Sequence, residues 1–302
     1  MSKYLISVVG PTAIGKTSLA VAIAQHFNTE IISADSRQFF KEMSIGTAVP
    51  SEAELAAAPH HFIQHRSIEE NYSVGDFERE ALHKLKHLFQ VHDPVVMVGG
   101  SGLYVKAVTE GLDDFPEVDR EIRKQLNTDL ETSGINPLQE KLKKLDPEYF
   151  SEVDKENPHR LIRALEICIG TGKPYSAFKN RKKEPRGFKT ISIGLTAQRE
   201  VIYDRINRRV DLMMQEGLLE EAEKLLPKKH LNALNTVGYK ELFQFLEGKW
   251  SLEEAIFEIQ KNTRRFAKRQ LTWFRKDPEI HWFDHTTPSS EIIAFLQEKI
   301  SA

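Results

Sequence analysis

The stretch Tyr4-Leu5-Ile6-Ser7-Val8-Val9-Gly10-Pro11-Thr12-Ala13-Ile14-Gly15-Lys16-Thr17 passes from an apolar run into a turn-rich octapeptide, and a helical pattern follows through Phe27. Six apolar-rich residues bounded by Gly-Pro read as a buried strand. The octapeptide matches G-x-x-x-x-G-K-[ST] with a strand before it and a helix after it, the context that a phosphate-binding loop requires. A second strand, Glu30–Ala34, closes a βαβ unit.

Outward from this unit, Pro94–Val98 reads as another buried strand running into Gly99-Gly100-Ser101-Gly102 and a helix, and Thr190–Thr196 as a further strand. Apolar strands alternating with helices predict an α/β fold, a P-loop NTPase-like parallel sheet with helices on both faces. Between Asp119 and Gly187 no strand pattern is found, and Gly134, Pro137, Pro147, Pro158 and Gly170–Pro174 punctuate helical text. A discontinuous core domain of residues 1–118 and 188–302, with a helical insertion domain of residues 119–187, follows. From Val201 onward the pattern reads as helical, including Leu252–Phe274.

At 302 residues and 40% hydrophobic content, the chain is long enough for one sizeable core and a second small domain. No apolar run reaches 18 residues, so neither a membrane span nor a secretory signal is expected. The single cysteine, Cys168, excludes an internal disulfide and a cysteine-clustered zinc site, which points to a reducing cytoplasm. A monomer is expected. The formal net charge of −2 hides a segregation: Lys155–Lys189 carries ten Lys/Arg against three Glu, and Lys261–Lys276 carries seven against no acid. Basic patches on an acidic body suit a polyanionic partner, although solvated helix faces would also produce them.

In the octapeptide, Gly10, Pro11, Thr12, Ala13, Ile14 and Gly15 would turn backbone N–H groups around phosphate oxygens, Lys16 would supply a point charge, and Thr17 could ligate Mg²⁺. Whether those phosphates belong to a nucleotide is left open by the loop alone. An ordinary P-loop ATPase ends a second buried strand in an acid that holds the metal, whereas Val95–Val98 ends in Gly99-Gly100. The nearest strand-end acid is Asp35, which could orient or deprotonate a nucleophile, or simply begin the next turn. Ser101 offers a hydroxyl at the third strand end. Arg205 and Arg209, four apart on a helix with Arg208 between them, could clamp a diphosphate or lie on a solvated face. On the helix 252–274 and its continuation, Arg264, Lys268 and Arg275 share one side, and Phe266, Ala267, Leu271, Trp273 and Phe274 the opposite arc, so one side is expected to pack and the other to meet RNA backbone or solvent.

Taken in order, these pieces resemble the bacterial tRNA dimethylallyltransferase (tRNA isopentenyltransferase) family over nearly the whole chain. The match includes 10–17, Ala34-Asp35-Ser36-Arg37-Gln38, Ile45-Gly46-Thr47-Ala48-Val49-Pro50, Tyr72–Phe77, Gly99–Tyr104, Asn157–Glu166, Val237-Gly238-Tyr239-Lys240 and Thr263–Arg275. The resemblance implies that the P-loop receives dimethylallyl diphosphate with Mg²⁺ and that a tRNA anticodon loop reaches the same pocket from the other side. Adenine N6, just 3′ of the anticodon, would attack C1 of the donor and diphosphate would leave. Asp35 would then take the amine proton, Ser101 would contact the bridging oxygen or the acceptor, and Lys16, Arg205 and Arg209 would hold diphosphate. By the same resemblance Asp35, Ser36, Arg37, Gln38, Ser101, Arg123, His159, Arg160, Leu161, Ile162 and Arg163 would lie against tRNA.

The chain departs from the family's usual pattern at Phe40, Ser44 and Val49, which puts contacts of that loop in question while leaving Lys16, Thr17 and Asp35 intact. Three rivals share the core features: a P-loop small-molecule kinase, a prenyltransferase acting on a free adenine nucleotide, and a non-catalytic RNA-binding protein. The two basic stretches and the Gly-Gly strand end weigh against the kinase, the helical insertion favours tRNA over a free nucleotide, and the retained Lys16, Thr17 and Asp35 weigh against a non-catalytic protein.

Overall fold

The structure is a computed structural model that describes residues 3–179 and 185–301. In chain order its elements are β1 (Tyr4–Val9), α1 (Lys16–His26), β2 (Ile31–Ser33), α2 (Glu52–Ala57), β3 (His60–His61), α3 (Val74–Leu88), β4 (Val95–Val98) and α4 (Gly102–Thr109). Then follow α5 (Arg120–Ser133), α6 (Asn136–Leu145), α7 (Pro147–Glu152), α8 (Pro158–Thr171), β5 (Lys189–Thr196), α9 (Arg199–Gln215), α10 (Leu218–Leu225), α11 (Tyr239–Leu246), α12 (Leu252–Phe274), β6 (Ile280–Asp284) and α13 (Ser289–Ser301). Two compact units result, Met1–Glu110 with Arg186–Ala302, and Gly111–Pro185. Residues 180–184 of the basic stretch 155–189 lie outside the described residues.

The first unit is built on a parallel six-stranded sheet of order β3-β2-β4-β1-β5-β6. Successive side chains of a strand point to opposite faces, and both faces are covered. Ile6, Val8, Val96 and Ile193 pack with Ala20, Ile23 and Ala24 of α1, Ile206 of α9 and Leu296 of α13. Leu5, Val9, Ile32, Val95 and Met97 pack on the other face with Phe77, Ala81 and Leu85 of α3 and Phe274 of α12. Truncating one such fully buried residue, Ile23→Ala for instance, should cost about 2–5 kcal/mol. A third cluster, including Phe40, Met43, Val210, Leu218, Tyr239, Leu242 and Ile259, joins the segment after β2 to α9–α12.

Two strands escape the sequence pattern. The reading of everything after Val201 as helix is corrected by β6, which pairs with β5 from Ser192↔Ile280 to Thr196↔Asp284. Only Ile280 in this edge strand is buried, so the alternation that marks a half-buried strand is missing. The two-residue β3 is too short to carry a period.

The second unit contains α5–α8 and a 3₁₀ turn, Tyr175–Phe178, and no strand among its described residues. Helices α6, α7 and α8 each carry Pro in the first turn, where a missing N–H is harmless. Asp146 caps α7 by accepting Tyr149 N–H at 3.0 Å and also takes Ser176 N–H at 2.7 Å. Leu126, Leu138, Leu142, Leu161, Leu165 and Cys168 form the core of the unit. No helix among the described residues is long and apolar enough to cross a membrane.

Candidate active site

The strand order sets the carboxyl ends of β2, β4 and β1 side by side, the place where a parallel α/β sheet presents loops to a ligand. Each of these ends carries one of the expected groups. Gly10 leaves β1 with φ 144°, and a Cβ there would stand 2.7 Å from the Leu195 carbonyl oxygen of β5, so only glycine fits. The chain then turns through Ala13 (φ 64°) and Gly15 (φ 109°) before α1 begins at Lys16. At the end of β4, a Cβ on Gly99 would stand 2.5 Å from the Ala34 carbonyl oxygen, so glycine permits the loops after β2 and β4 to touch.

Lys16 folds over its own loop and donates from Nζ to the Pro11 carbonyl at 2.8 Å. Burial lowers its pKa to about 8; Asp35 across the cleft opposes that shift and Arg209 adds to it. Arg205 Nε donates to the Ala13 carbonyl at 2.7 Å, and the Arg209 guanidinium donates to Thr12 Oγ1. The two arginines of α9 therefore brace the P-loop itself and sit beside whatever it binds. Arg208, paired with Asp204 and 79% exposed, points away from the loop to solvent. Thr17, the second residue of α1, is partly exposed.

Asp35 follows β2 and begins a turn in which its Oδ1 accepts Arg37 N–H at 3.1 Å. Ser101 Oγ accepts Ser36 N–H at 3.1 Å and lies 3.1 Å from Ser36 Oγ. The Asp35 and Ser101 loops are thus fastened to each other, with Lys16 and Arg209 close enough to feel the Asp35 charge. Arg37 and Gln38 turn inward. Arg37 donates to the Ala233 and Asn232 carbonyls at 2.9 and 3.3 Å, and Gln38 Nε2 donates to Ala48 and Thr47 carbonyls at 2.7 and 3.3 Å.

Gln270 was not singled out in the sequence, yet it ties the site together. It is buried, accepts Thr12 N–H on Oε1 at 2.8 Å and donates from Nε2 to the Gly100 carbonyl at 2.9 Å. The available signal was its spacing, since Ala267, Gln270 and Phe274 recur at the interval of one helix face and all three are buried. The expected packing arc of α12 is corrected accordingly. Phe266 and Trp273 are 38% and 41% exposed, flank the buried line, and share their side of the helix with Arg269, whose guanidinium lies 5.7 Å from the Phe266 ring centroid.

In the second unit, Arg123 Nη2 and Nε donate to Glu166 Oε2 at 2.7 and 3.2 Å, and Arg163 Nη1 donates to the same oxygen at 3.1 Å. Glu166 is buried, while Arg123 and Arg163 remain about half exposed, so one carboxylate aims two guanidinium groups. His159 and Arg160 are exposed at the start of α8. Leu161 and Ile162, expected beside them against RNA, are instead buried in the core of the unit, because positions two and three beyond His159 fall on the packed face of the helix.

The arrangement in the first unit joins a cationic backbone cradle, suited to a diphosphate, to a carboxylate and a hydroxyl that could manage a proton. The chain matches the family model described as IPP transferase over residues 38–277. It is 68% identical to a tRNA dimethylallyltransferase of Christiangramia forsetii, with 100% of both chains covered, and 58% identical to one of Flavobacterium johnsoniae, with 99% of both covered. Among solved structures it is similar to the tRNA isopentenylpyrophosphate transferase of Bacillus halodurans (TM-score 0.74, 39% identity, 100% of this chain and 97% of that one). It is also similar to a eukaryotic dimethylallyltransferase acting on tRNA (TM-score 0.85, 27% identity, 99% of this chain and 80% of that one). With a family match over most of its length and relatives of this identity along all of it, the chain belongs to the IPP transferase family.

Proposed function

We propose that this chain transfers the dimethylallyl group of dimethylallyl diphosphate to the exocyclic N6 of the adenine just 3′ of a tRNA anticodon, releasing diphosphate. The observation that carries the reading is the placement of Asp35, at the end of β2, within electrostatic reach of Lys16 and Arg209 at the P-loop. One group for the nucleophile and two for the leaving group meet in a single cleft.

An adenine amine is a weak nucleophile, so the C1–O bond of the donor must stretch before the N6–C1 bond is complete, and negative charge gathers on the departing diphosphate. The P-loop backbone, Lys16 and the flanking Arg205 and Arg209 are positioned to receive that charge. Asp35 accepts the proton lost by N6, and Ser101 reaches the bridging oxygen or the base. The target adenine must leave its stack to arrive there. Among the described residues no three His, Cys, Asp or Glu side chains are grouped to hold a metal ion. Thr17, partly exposed at the second position of α1 directly after the P-loop, fits an Mg²⁺ ion brought in with the diphosphate and would hold it through its hydroxyl, the remaining ligands coming from phosphate and water oxygens. When bound, Mg²⁺ neutralises charge on the leaving group.

Within the first unit the aromatic and basic side of α12 is suited to RNA; within the helical unit, taken by itself, the exposed His159 and Arg160 and the half-exposed Arg123 and Arg163 are the side chains offered to phosphate. The test is incubation of the purified protein with Mg²⁺, labelled dimethylallyl diphosphate, and either unmodified tRNA carrying adenines next to the anticodon or free AMP. Label in tRNA is the expected result; label in AMP would replace the acceptor, and label in neither would overturn the reading.

A further inference from the structure

Glu221 lies on α10, outside the P-loop cleft, yet its carboxylate is one of the most heavily hydrogen-bonded groups of the chain. Oε2 accepts the backbone N–H groups of Ser44 and Ile45 at 3.0 and 2.9 Å, and Oε1 accepts Gly46 N–H at 3.0 Å and the Tyr239 hydroxyl at 2.5 Å. Three successive N–H groups converging on one anion form a nest of the kind that elsewhere holds phosphate. Tyr239 is fully buried, and burial together with the Glu221 charge raises its pKa, so it stays a donor. A Cβ at Gly46 would stand 2.6 Å from the Tyr239 ring, so glycine lets the loop backbone lie against the ring.

The clamped loop continues to the acceptor side of the site. Thr47 Oγ1 donates to the Met43 carbonyl at 2.7 Å and Ala48 adopts φ 51°, so the carbonyls of Thr47 and Ala48 face the loop after β2. There they receive both N–H bonds of the Gln38 amide at 3.3 and 2.7 Å. With its amino end fixed, Gln38 presents Oε1 to Ser33 Oγ at 3.2 Å, and Ser33 Oγ in turn accepts Asp35 N–H at 3.4 Å. The line from Glu221 to Asp35 is continuous and does not pass through the P-loop.

We infer that Glu221 is a positioning residue for the acceptor half of the reaction: its charge holds residues 44–48, which hold Gln38 and the Asp35 turn in the geometry that receives the adenine. The inference rests on the proposed prenyl transfer. Hydrogen bonds to an ionised acceptor are about twice as strong as neutral ones, and a site populated only part of the time binds its ligand more weakly by that fraction. Glu221→Gln keeps the volume but turns an amide NH₂ toward N–H donors.

The experiment is steady-state kinetics of the full chain with both substrates varied, together with the melting temperature. Wild-type turnover of tRNA is the control: its failure would sink the proposed function and the inference with it, whereas wild-type turnover with unchanged variants would overturn the inference alone. Glu221→Gln is expected to raise the KM for tRNA or lower kcat, reducing kcat/KM for tRNA by about tenfold or more, with the dissociation constant for dimethylallyl diphosphate changed less than about twofold. Tyr239→Phe, which removes one donor of four, is expected to shift the same parameter in the same direction by less. A lower melting temperature with both substrates' constants unchanged, or an equal loss for donor and acceptor, would overturn the inference in either variant.

Discussion

Gln270 Oε1 accepts the backbone N–H of Thr12 at 2.8 Å, across 258 residues of sequence. With its Nε2 on the Gly100 carbonyl, one buried amide sets the spacing between the P-loop and the loop after β4. Gln270→Leu would leave a buried donor and acceptor unpaired, each worth about 1–3 kcal/mol. The variant should be less stable by that order and bind dimethylallyl diphosphate more weakly, measured by thermal unfolding and by titration with the donor. Unchanged donor affinity would show that the P-loop keeps its shape without Gln270.

Lys16 gives a pH signature. Its pKa falls to about 8 in the free protein, chiefly through burial. Its charge is therefore present below that value, and kcat/KM for the donor should fall as pH rises above about 8, towards tenfold per unit. The folding linkage has the opposite sign: between about 8 and the unfolded value of 10.5, the unfolded chain binds more protons, so this group makes stability rise with pH. Because Asp35 raises the Lys16 pKa, Asp35→Asn should move the kinetic limb to lower pH in addition to lowering kcat by about 10²–10⁴. A limb that stays in place would remove Asp35 from contact with the Lys16 charge.

Arg160 is exposed, whereas Arg123 and Arg163 are aimed by Glu166. If each contacts one phosphate, Arg160→Ala and Arg163→Ala should each raise the tRNA KM and reduce the salt slope of log affinity by about 1. Glu166→Gln, which loosens both aimed guanidinium groups, should weaken tRNA more than Arg160→Ala does. Binding measured from low to moderate salt decides the point.

Trp273 is 41% exposed and packs against Gly102, the residue after Ser101, where a Cβ would overlap the indole. A half-exposed indole beside a basic helix face is suited to stacking a base. Trp273→Ala should weaken tRNA by about 1–3 kcal/mol with donor affinity nearly unchanged. Quenching of tryptophan fluorescence on adding tRNA that is lost in Trp273→Ala would report the contact, since Trp250 and Trp282 remain in the variant.

Much of this site is visible in the sequence because its parts are local. A P-loop is eight consecutive residues, and Asp35 and Ser101 each follow an apolar run closely, so strand ends and loop chemistry can be read together. Gln270 and Glu221 differ. Both act on partners more than a hundred residues away, and a buried polar side chain on a helix shows its meaning only when the group it faces is known. Leu161 and Ile162 illustrate the converse, where a motif's run of consecutive residues includes positions that a helix turns into the core. The strand β6 was hidden because it borrows its order from β5 and offers little burial of its own.

The nest formed by Ser44, Ile45 and Gly46 is filled by the chain's own Glu221. A backbone cradle that already carries a tethered anion is closed to free ones, because the tether supplies an effective concentration that a dissolved ion does not match. Of the two backbone cradles described in the first unit, the P-loop is then the one that can take inorganic diphosphate. The released product and the incoming donor must compete for it one for one, and calorimetric titration with diphosphate should saturate at a stoichiometry of about one.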